Sequence, residues 1–124
     1  MDRVYGVREL ELKPGVSEAE FERFVREEWA AALPLRGLHM RVLKGQGGAR
    51  TGKYLWLWEW ESYARWREAF PEAREGPAGR QQASDEVQQW YDAHQAAVGE
   101  RFRALAEVPR EVFTSYREVA TLGE

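Results

Sequence analysis

The chain of 124 residues contains no cysteine, no asparagine and no isoleucine. Without cysteine it can form no disulfides, zinc–thiolate sites or iron–sulfur clusters, and it has no thiol nucleophile. It also lacks a run of about 18 apolar residues, the length that a membrane-spanning helix needs. Its first residues form neither a basic and apolar leader nor a small-residue cleavage site. We therefore expect a cytoplasmic protein with no membrane partner.

A strong net charge is also missing. The 18 basic and 21 acidic side chains give a net charge of −3, which argues against a nucleic-acid partner and against long-range electrostatic steering. Arginine supplies 15 of the basic side chains and glutamate 18 of the acidic ones. This composition, with asparagine and cysteine absent, suits a thermophilic protein. A GC-rich genome would produce the same composition, so both explanations stay open.

The hydrophobic pattern predicts a single domain, 1–124, that begins with a strand and a helix. Residues 4–13 alternate between two faces, and Pro14-Gly15 ends them. Ser17 and Glu20 form a capping box, so a helix is expected to begin at Ser17. Its apolar residues recur every three or four positions up to Pro34: Phe21, Phe24, Val25, Trp29 and Ala32.

The rest of the chain predicts three more strands and two more helices. In order, these are a strand at 38–44, a glycine-rich hairpin loop at 45–52, a strand at 53–61, a short helix at 63–70 capped by Ser62, an irregular link at 71–79, a long helix from Ser84 to about 106, and a strand at about 111–119. This order indicates an α+β fold of the ferredoxin-like type. Its four-stranded antiparallel sheet would carry helices on one face.

The hairpin formed by the second and third strands suggests a register. Pairing Leu43 with Tyr54 places His39 and Arg41 on the same face as Trp56 and Trp58. The opposite face would be aliphatic, apart from Glu59, and would be covered by the helices. The face with Tyr54 and the tryptophans would then lie uncovered. We expect a second copy of the chain to pack on it, forming a homodimer with a ligand cavity between the two sheets.

The element order, the Lys13-Pro14-Gly15 turn before a helix with glutamate and phenylalanine, and the glycine-rich hairpin resemble the dimeric α+β barrel superfamily. That group includes antibiotic-biosynthesis monooxygenase-like, EthD-like and NIPSNAP-like families, and also heme-binding and heme-degrading branches. The resemblance implies a homodimer with a ligand cavity. It also implies, for an enzyme, cofactor-independent oxygenation or isomerisation of a planar aromatic or polyketide-like substrate.

Within that resemblance, His39 and Arg41 are the candidate catalytic residues. His39 would act as the base because an imidazole titrates near neutral pH, and Arg41 would stabilise the substrate anion. Tyr54, Trp56 and Trp58 would form the wall that binds the substrate. Each also has a structural interpretation: His39 as a cavity-wall residue, Arg41 as a cation–π partner of Trp56, and the tryptophans as packing.

Other chemistry has little support in the sequence. Three of the four serines cap helices, and the two histidines have no metal-ligand spacing. We therefore expect no protein-ligated metal and no required cofactor. Two alternatives to the enzyme hypothesis remain: a non-catalytic structural or stress-related dimer or small-molecule carrier, and a heme protein that uses His94 or His39 as ligand. His94 also fits a packing role, since it lies on the apolar stripe of the long helix.

Overall fold

The computed structural model describes residues 2–71, 82–109 and 114–123. The elements follow in this order: β1 (Val4–Leu12), α1 (Glu18–Phe24) with a π-helical turn (Val25–Trp29), β2 (Leu38–Lys44), β3 (Tyr54–Trp60), α2 (Tyr63–Ala69), α3 (Asp85–His94), a second π-helical turn (Gln95–Gly99), α4 (Glu100–Leu105), β4 (Ala106–Glu107) and β5 (Thr114–Arg117). The protein is thus α+β, with every predicted helix and strand present within a few residues of its expected bounds.

A serine begins each of the three helical segments, as predicted. The Oγ atoms of Ser17, Ser62 and Ser84 accept hydrogen bonds from the backbone N–H three residues later, over 3.1, 3.0 and 3.3 Å. These bonds satisfy donors that a helix leaves without partners at its first turn. The segment from α3 through the second π-helical turn to α4 is continuous, and it carries much of the cavity described below.

The sheet is antiparallel and has five strands. β3 lies between β2 and β1, and the other edge of β1 pairs with β5 along Val4–Val7 and with β4 at Glu11 and Leu12. β4 is a two-residue strand that the sequence did not predict, because Ala106 fell within the predicted long helix. The predicted link at 71–79 and the start of the predicted last strand fall mainly outside the described residues.

The predicted register of the β2–β3 hairpin is wrong by one residue. Leu43 pairs with Leu55 rather than Tyr54, His39 pairs with Glu59, and Arg41 pairs with Leu57. A shift of one residue turns every side chain of a strand to the other face relative to its neighbour. Leu38, Met40 and Val42 therefore share a face with Trp60, Trp58 and Trp56.

The helices cover this aromatic face, not the aliphatic one as predicted. One buried cluster lies at the Tyr54 end of β3 and includes Leu10, Phe21, Phe24, Tyr54, Trp56 and Phe102. A second lies at the Trp60 end and includes Val4, Leu38, Trp60, Trp66 and Val87. Met40 and Trp58 pack against both. The large aromatic residues of β3 are thus core residues of a single chain.

The other face of the sheet has no helix on it among the described elements. It carries partly buried Val7, Leu55 and Leu57, and the more exposed Leu43 and Tyr116. We call this the uncovered face. None of the helices in the described ranges is long and apolar enough to cross a membrane.

Candidate functional site

The structure does not bring the predicted site residues together. Tyr54, Trp56 and Trp58 lie under the helices, whereas His39 and Arg41 project from the uncovered face. This follows from the corrected register, because residues paired across two strands point to the same side of the sheet. The expected cavity lined by all five residues therefore does not form.

Arg41 and His39 have separate surroundings. The Arg41 guanidinium forms an ion pair with Glu59, at 3.1 Å, and the same carboxylate accepts a hydrogen bond from Arg3. Glu59, which was an anomaly on the predicted aliphatic face, thus has two arginine partners. His39 is exposed, beside a small groove at the edge of β2.

Tyr54 is held in the core by a hydrogen bond and an aromatic contact. Its hydroxyl donates to Glu22 over 2.7 Å, and its ring packs edge-on against Phe21 with 4.9 Å between centroids. Burial, and then the Glu22 carboxylate, raise the pKa of the Tyr54 phenol well above its usual value. Tyr54 thus stays protonated and links the sheet to α1.

A cavity of about 360 Å³ lies between the covered face of the sheet and the α3–α4 segment. Its volume is within the range of small-molecule sites. Its aromatic lining is Trp29, Trp56, Tyr91 and Phe102, and its polar lining is Arg8, Lys13, His94, Gln95, Arg103 and Glu107. Of the five residues of the predicted substrate site, only Trp56 lines it; His94, the alternative heme ligand, lines it as well.

Both π-helical turns border this cavity. Trp29 ends the first turn, and Gln95, Val98 and Gly99 belong to the second. A π-helical turn inserts an extra residue into a helix; such turns are rare, and they frequently occur at functional sites. Two such turns, from helices far apart in the sequence, meet at one cavity, which marks it as the strongest candidate site.

His94 is the buried titratable group of the cavity wall, only 4% exposed. Its ring lies edge-on to Trp29, with 6.4 Å between centroids, and 5.2 Å from the ring of Trp90. Burial lowers the pKa of the imidazole below its usual 6.5. His94 is therefore neutral at pH 7, with one nitrogen that can accept a proton.

Two buried indole N–H groups are without partners among the described residues. They are Nε1 of Trp56, which lines the cavity, and Nε1 of the adjacent Trp58, whose ring centroid is 5.4 Å from that of Trp56. Buried donors almost always find an acceptor, since an unmade bond costs about 1–3 kcal/mol. Because Nε1 of Trp56 has almost no accessible area, an acceptor in the cavity would reach it only after the indole turns toward the ligand.

Arg8 lines the cavity but was not among the predicted site residues, although the sequence carries a signal for it. Arg8 occupies an inward position of β1 between Gly6 and Leu10, on the face that also carries Val4 and Leu12. A charged residue in the middle of an apolar alternating face needs a polar environment inside the protein. Here Arg8 lines the cavity.

We predict that His94 makes stability depend on pH between 7.5 and 5.5. The unfolded chain takes up a proton on His94 as the pH falls through about 6.5, whereas the folded protein does so only at lower pH. Stability is therefore retained above 6.5 and lost below it, by at most about 1.4 kcal/mol per pH unit. Urea unfolding at several pH values measures this slope.

The matched variants for this prediction are His94→Gln and His39→Gln. The first removes the buried imidazole and is expected to flatten the slope, whereas the second removes the exposed one and is expected to preserve it. Asp2 and Glu22, whose pKa values are lowered, also make stability fall as the pH falls, but only at more acidic pH. An equal slope in His94→Gln and in the wild type would contradict the prediction.

Comparison with known proteins finds no match: no family model matches the chain, and neither a curated protein nor a solved structure matches it significantly.

Proposed function

We propose that the protein binds a small, planar aromatic molecule in the cavity between the sheet and the α3–α4 segment. The observation that carries this proposal is the buried N–H of Trp56, which has no partner among the described residues and belongs to a side chain that lines an aromatic cavity. Trp29 and Phe102 provide ring faces and edges for a flat ligand, and the indole N–H of Trp56 would donate once the ring turns toward the ligand. The ligand would therefore carry an acceptor oxygen or nitrogen on an aromatic body.

The test uses 2-naphthamide, a neutral planar probe with a carbonyl acceptor, titrated by calorimetry. The wild type is expected to bind it. Trp56→Phe keeps an aromatic ring but removes the N–H, so we expect binding to be about 3- to 10-fold weaker. Trp66→Phe is the control, because it makes the same change in the cluster at the Trp60 end of β3. No binding to the wild type at the solubility limit of the probe would refute the proposal.

A second candidate function is cofactor-independent oxygenation of such a molecule, as the resemblance to monooxygenase-like proteins implies. It requires a base that removes a proton from an activated substrate. We assign this role to His94 rather than His39, because His94 is a neutral imidazole on the wall that Trp56 shares. Oxygen uptake with anthrone as the probe substrate, lost in His94→Gln and retained in His39→Gln, would support it.

Heme binding is the third candidate. Heme iron takes a histidine as axial ligand, and His94, but not the exposed His39, offers a neutral imidazole to the cavity. Bound heme would supply redox chemistry at its iron. A Soret band in the purified protein that disappears in His94→Ala would favour this candidate. A native mass spectrum with neither retained ligand nor heme, and no oxygen uptake, would favour a non-catalytic structural protein.

We also propose that the protein is a ferredoxin-like homodimer in which the uncovered faces of two sheets pack together. The predicted dimer placed the aromatic face in the interface, and that premise is wrong, because the helices of the same chain cover it. The uncovered face offers apolar residues among charges of both signs, Arg41 and Glu59 included. A two-fold axis would set such a mixed surface against its own copy, so that each charge can find an opposite one.

A further inference from the structure

A groove of about 210 Å³ lies beside the cavity, at the edge of β2. The turn that follows the first helical segment, β2 and α3 all contribute to its lining. Trp29 and His94 line both the groove and the cavity, and their rings meet edge-on with 6.4 Å between centroids. The groove and the cavity therefore share a wall that contains these two buried side chains.

The groove offers apolar surface to an occupant. Its lining includes the hydrocarbon side chains of Ala32, Leu33, Pro34, Leu35, Leu38 and Met40. Trp90 adds an aromatic ring, and its Nε1 donates to the carbonyl of Leu33 over 2.8 Å. Because this bond satisfies the one polar atom of the indole, Trp90 contributes ring surface to the groove and no unused donor. Such a surface favours a hydrocarbon occupant, whose burial removes apolar area from water.

Leu33 is the most exposed of the leucines that line the groove. Its side chain is 68% exposed, whereas Leu35 and Leu38 in the same groove are buried. A single exposed leucine is ordinary in a folded protein. This one, however, lies along a groove that adjoins the candidate ligand cavity. A hydrocarbon chain in the groove would contact Leu33 and the two buried leucines together.

We propose that the ligand is a planar aromatic molecule with an unbranched hydrocarbon tail, whose ring lies in the cavity and whose tail lies in the groove. The inference rests on the proposed function and adds the second part of the ligand. The tail would pass from one space to the other at the shared wall, where the ring of Trp29 or of His94 turns aside. An unbranched chain needs the narrowest opening between two rings, so it fits this passage better than a branched chain or a second ring system.

The experiment compares 2-naphthamide with 6-propyl-2-naphthamide and 6-pentyl-2-naphthamide, by calorimetry at pH 7.5. All three probes carry the same ring and the same acceptor, so they differ only in the length of the tail. Each methylene group that the groove buries is expected to strengthen binding about 3- to 4-fold. The wild type should therefore bind the pentyl probe about 10-fold more tightly than the propyl probe.

The test variant is Ala32→Leu, which enlarges a partly buried side chain of the groove and should abolish the preference for the pentyl probe. Ala31→Leu is the matched control. It makes the same change at the preceding residue, which is exposed and does not line the groove, so the preference should remain. The affinity for 2-naphthamide, which has no tail, reports any change in the cavity itself. If Ala32→Leu is unfolded by circular dichroism, Ala30→Leu supplies the comparison at an exposed position of the groove.

Two results would overturn the tail inference and leave the aromatic cavity standing. One is equal wild-type affinity for the propyl and pentyl probes. The other is an equal preference for the pentyl probe in the groove variant and in Ala31→Leu, which would show that the tail binds elsewhere. Binding of none of the three probes would overturn the proposed function itself.

Discussion

Phe21→Ala is expected to destabilise the protein by about 3–5 kcal/mol, the largest effect that we predict for a single substitution. Phe21 is fully buried where α1 meets the sheet, and its ring lies edge-on to Tyr54 and to Phe102, at 4.9 and 6.0 Å. Truncation removes these contacts and leaves a cavity that rigid aromatic neighbours cannot fill. Urea or thermal unfolding followed by circular dichroism measures the loss.

Two further variants make this result interpretable. Leu33→Ala truncates a side chain that is 68% exposed, so its effect is expected to stay within about 0.5 kcal/mol. Phe21→Leu keeps most of the side-chain volume, so it allows the loss of stability to be measured even if Phe21→Ala does not fold. A Phe21→Ala protein with nearly wild-type stability would show that the aromatic face of the sheet is not the core.

The bounds of the elements could be predicted because local signals specify them. Ser17, Ser62 and Ser84 cap helices through bonds to amides three residues away, and such contacts are visible in the sequence. The alternation in β1 correctly separated Val4 and Leu10 from the outward residues between them. These features depend on neighbours within a few positions, so they need no knowledge of the tertiary fold.

The register of the β2–β3 hairpin could not be predicted in the same way, because both faces of β3 are apolar. Tyr54 and the tryptophans alternate with Leu55 and Leu57, and an aliphatic core was as reasonable as an aromatic one. The charged residue Glu59 was the feature of the sequence that could have distinguished the two registers. The predicted register placed its carboxylate on the aliphatic face, opposite to the face of Arg41, whereas the observed register places it opposite His39 and in an ion pair with Arg41.

The candidate site was missed for a related reason. His94 was recognised as a residue on the apolar stripe of the long helix, and the alternation of β1 puts Arg8 on one face with Val4 and Leu10. That the two line one cavity depends on how the helix lies across the sheet. Helix-to-sheet packing joins residues 86 positions apart, and no local pattern reports it. A polar residue in the middle of an apolar face is nevertheless visible in the sequence, and both residues fit that description.

Leu57→Arg is expected to convert the proposed homodimer into a monomer. Leu57 lies at the centre of β3 on the uncovered face, where a two-fold axis would bring two copies of any substitution into one interface. Burying unpaired guanidinium groups there costs several kcal/mol, so the dissociation constant of the dimer should rise at least about 100-fold. Native mass spectrometry and light scattering should then change from twice 14.4 kDa to 14.4 kDa.

The location of Leu57 allows an effect of the substitution on dimer formation to be distinguished from an effect on folding. In a single chain its side chain faces away from the helices, so Leu57→Arg should retain the wild-type circular dichroism spectrum and its affinity for 2-naphthamide. Leu33→Arg adds the same charge at an exposed position that is not part of the uncovered face and should remain dimeric. A wild-type protein that is monomeric at micromolar concentration would end the dimer proposal. The cavity lies within one chain, on the other side of the sheet, so the binding proposal would survive that result.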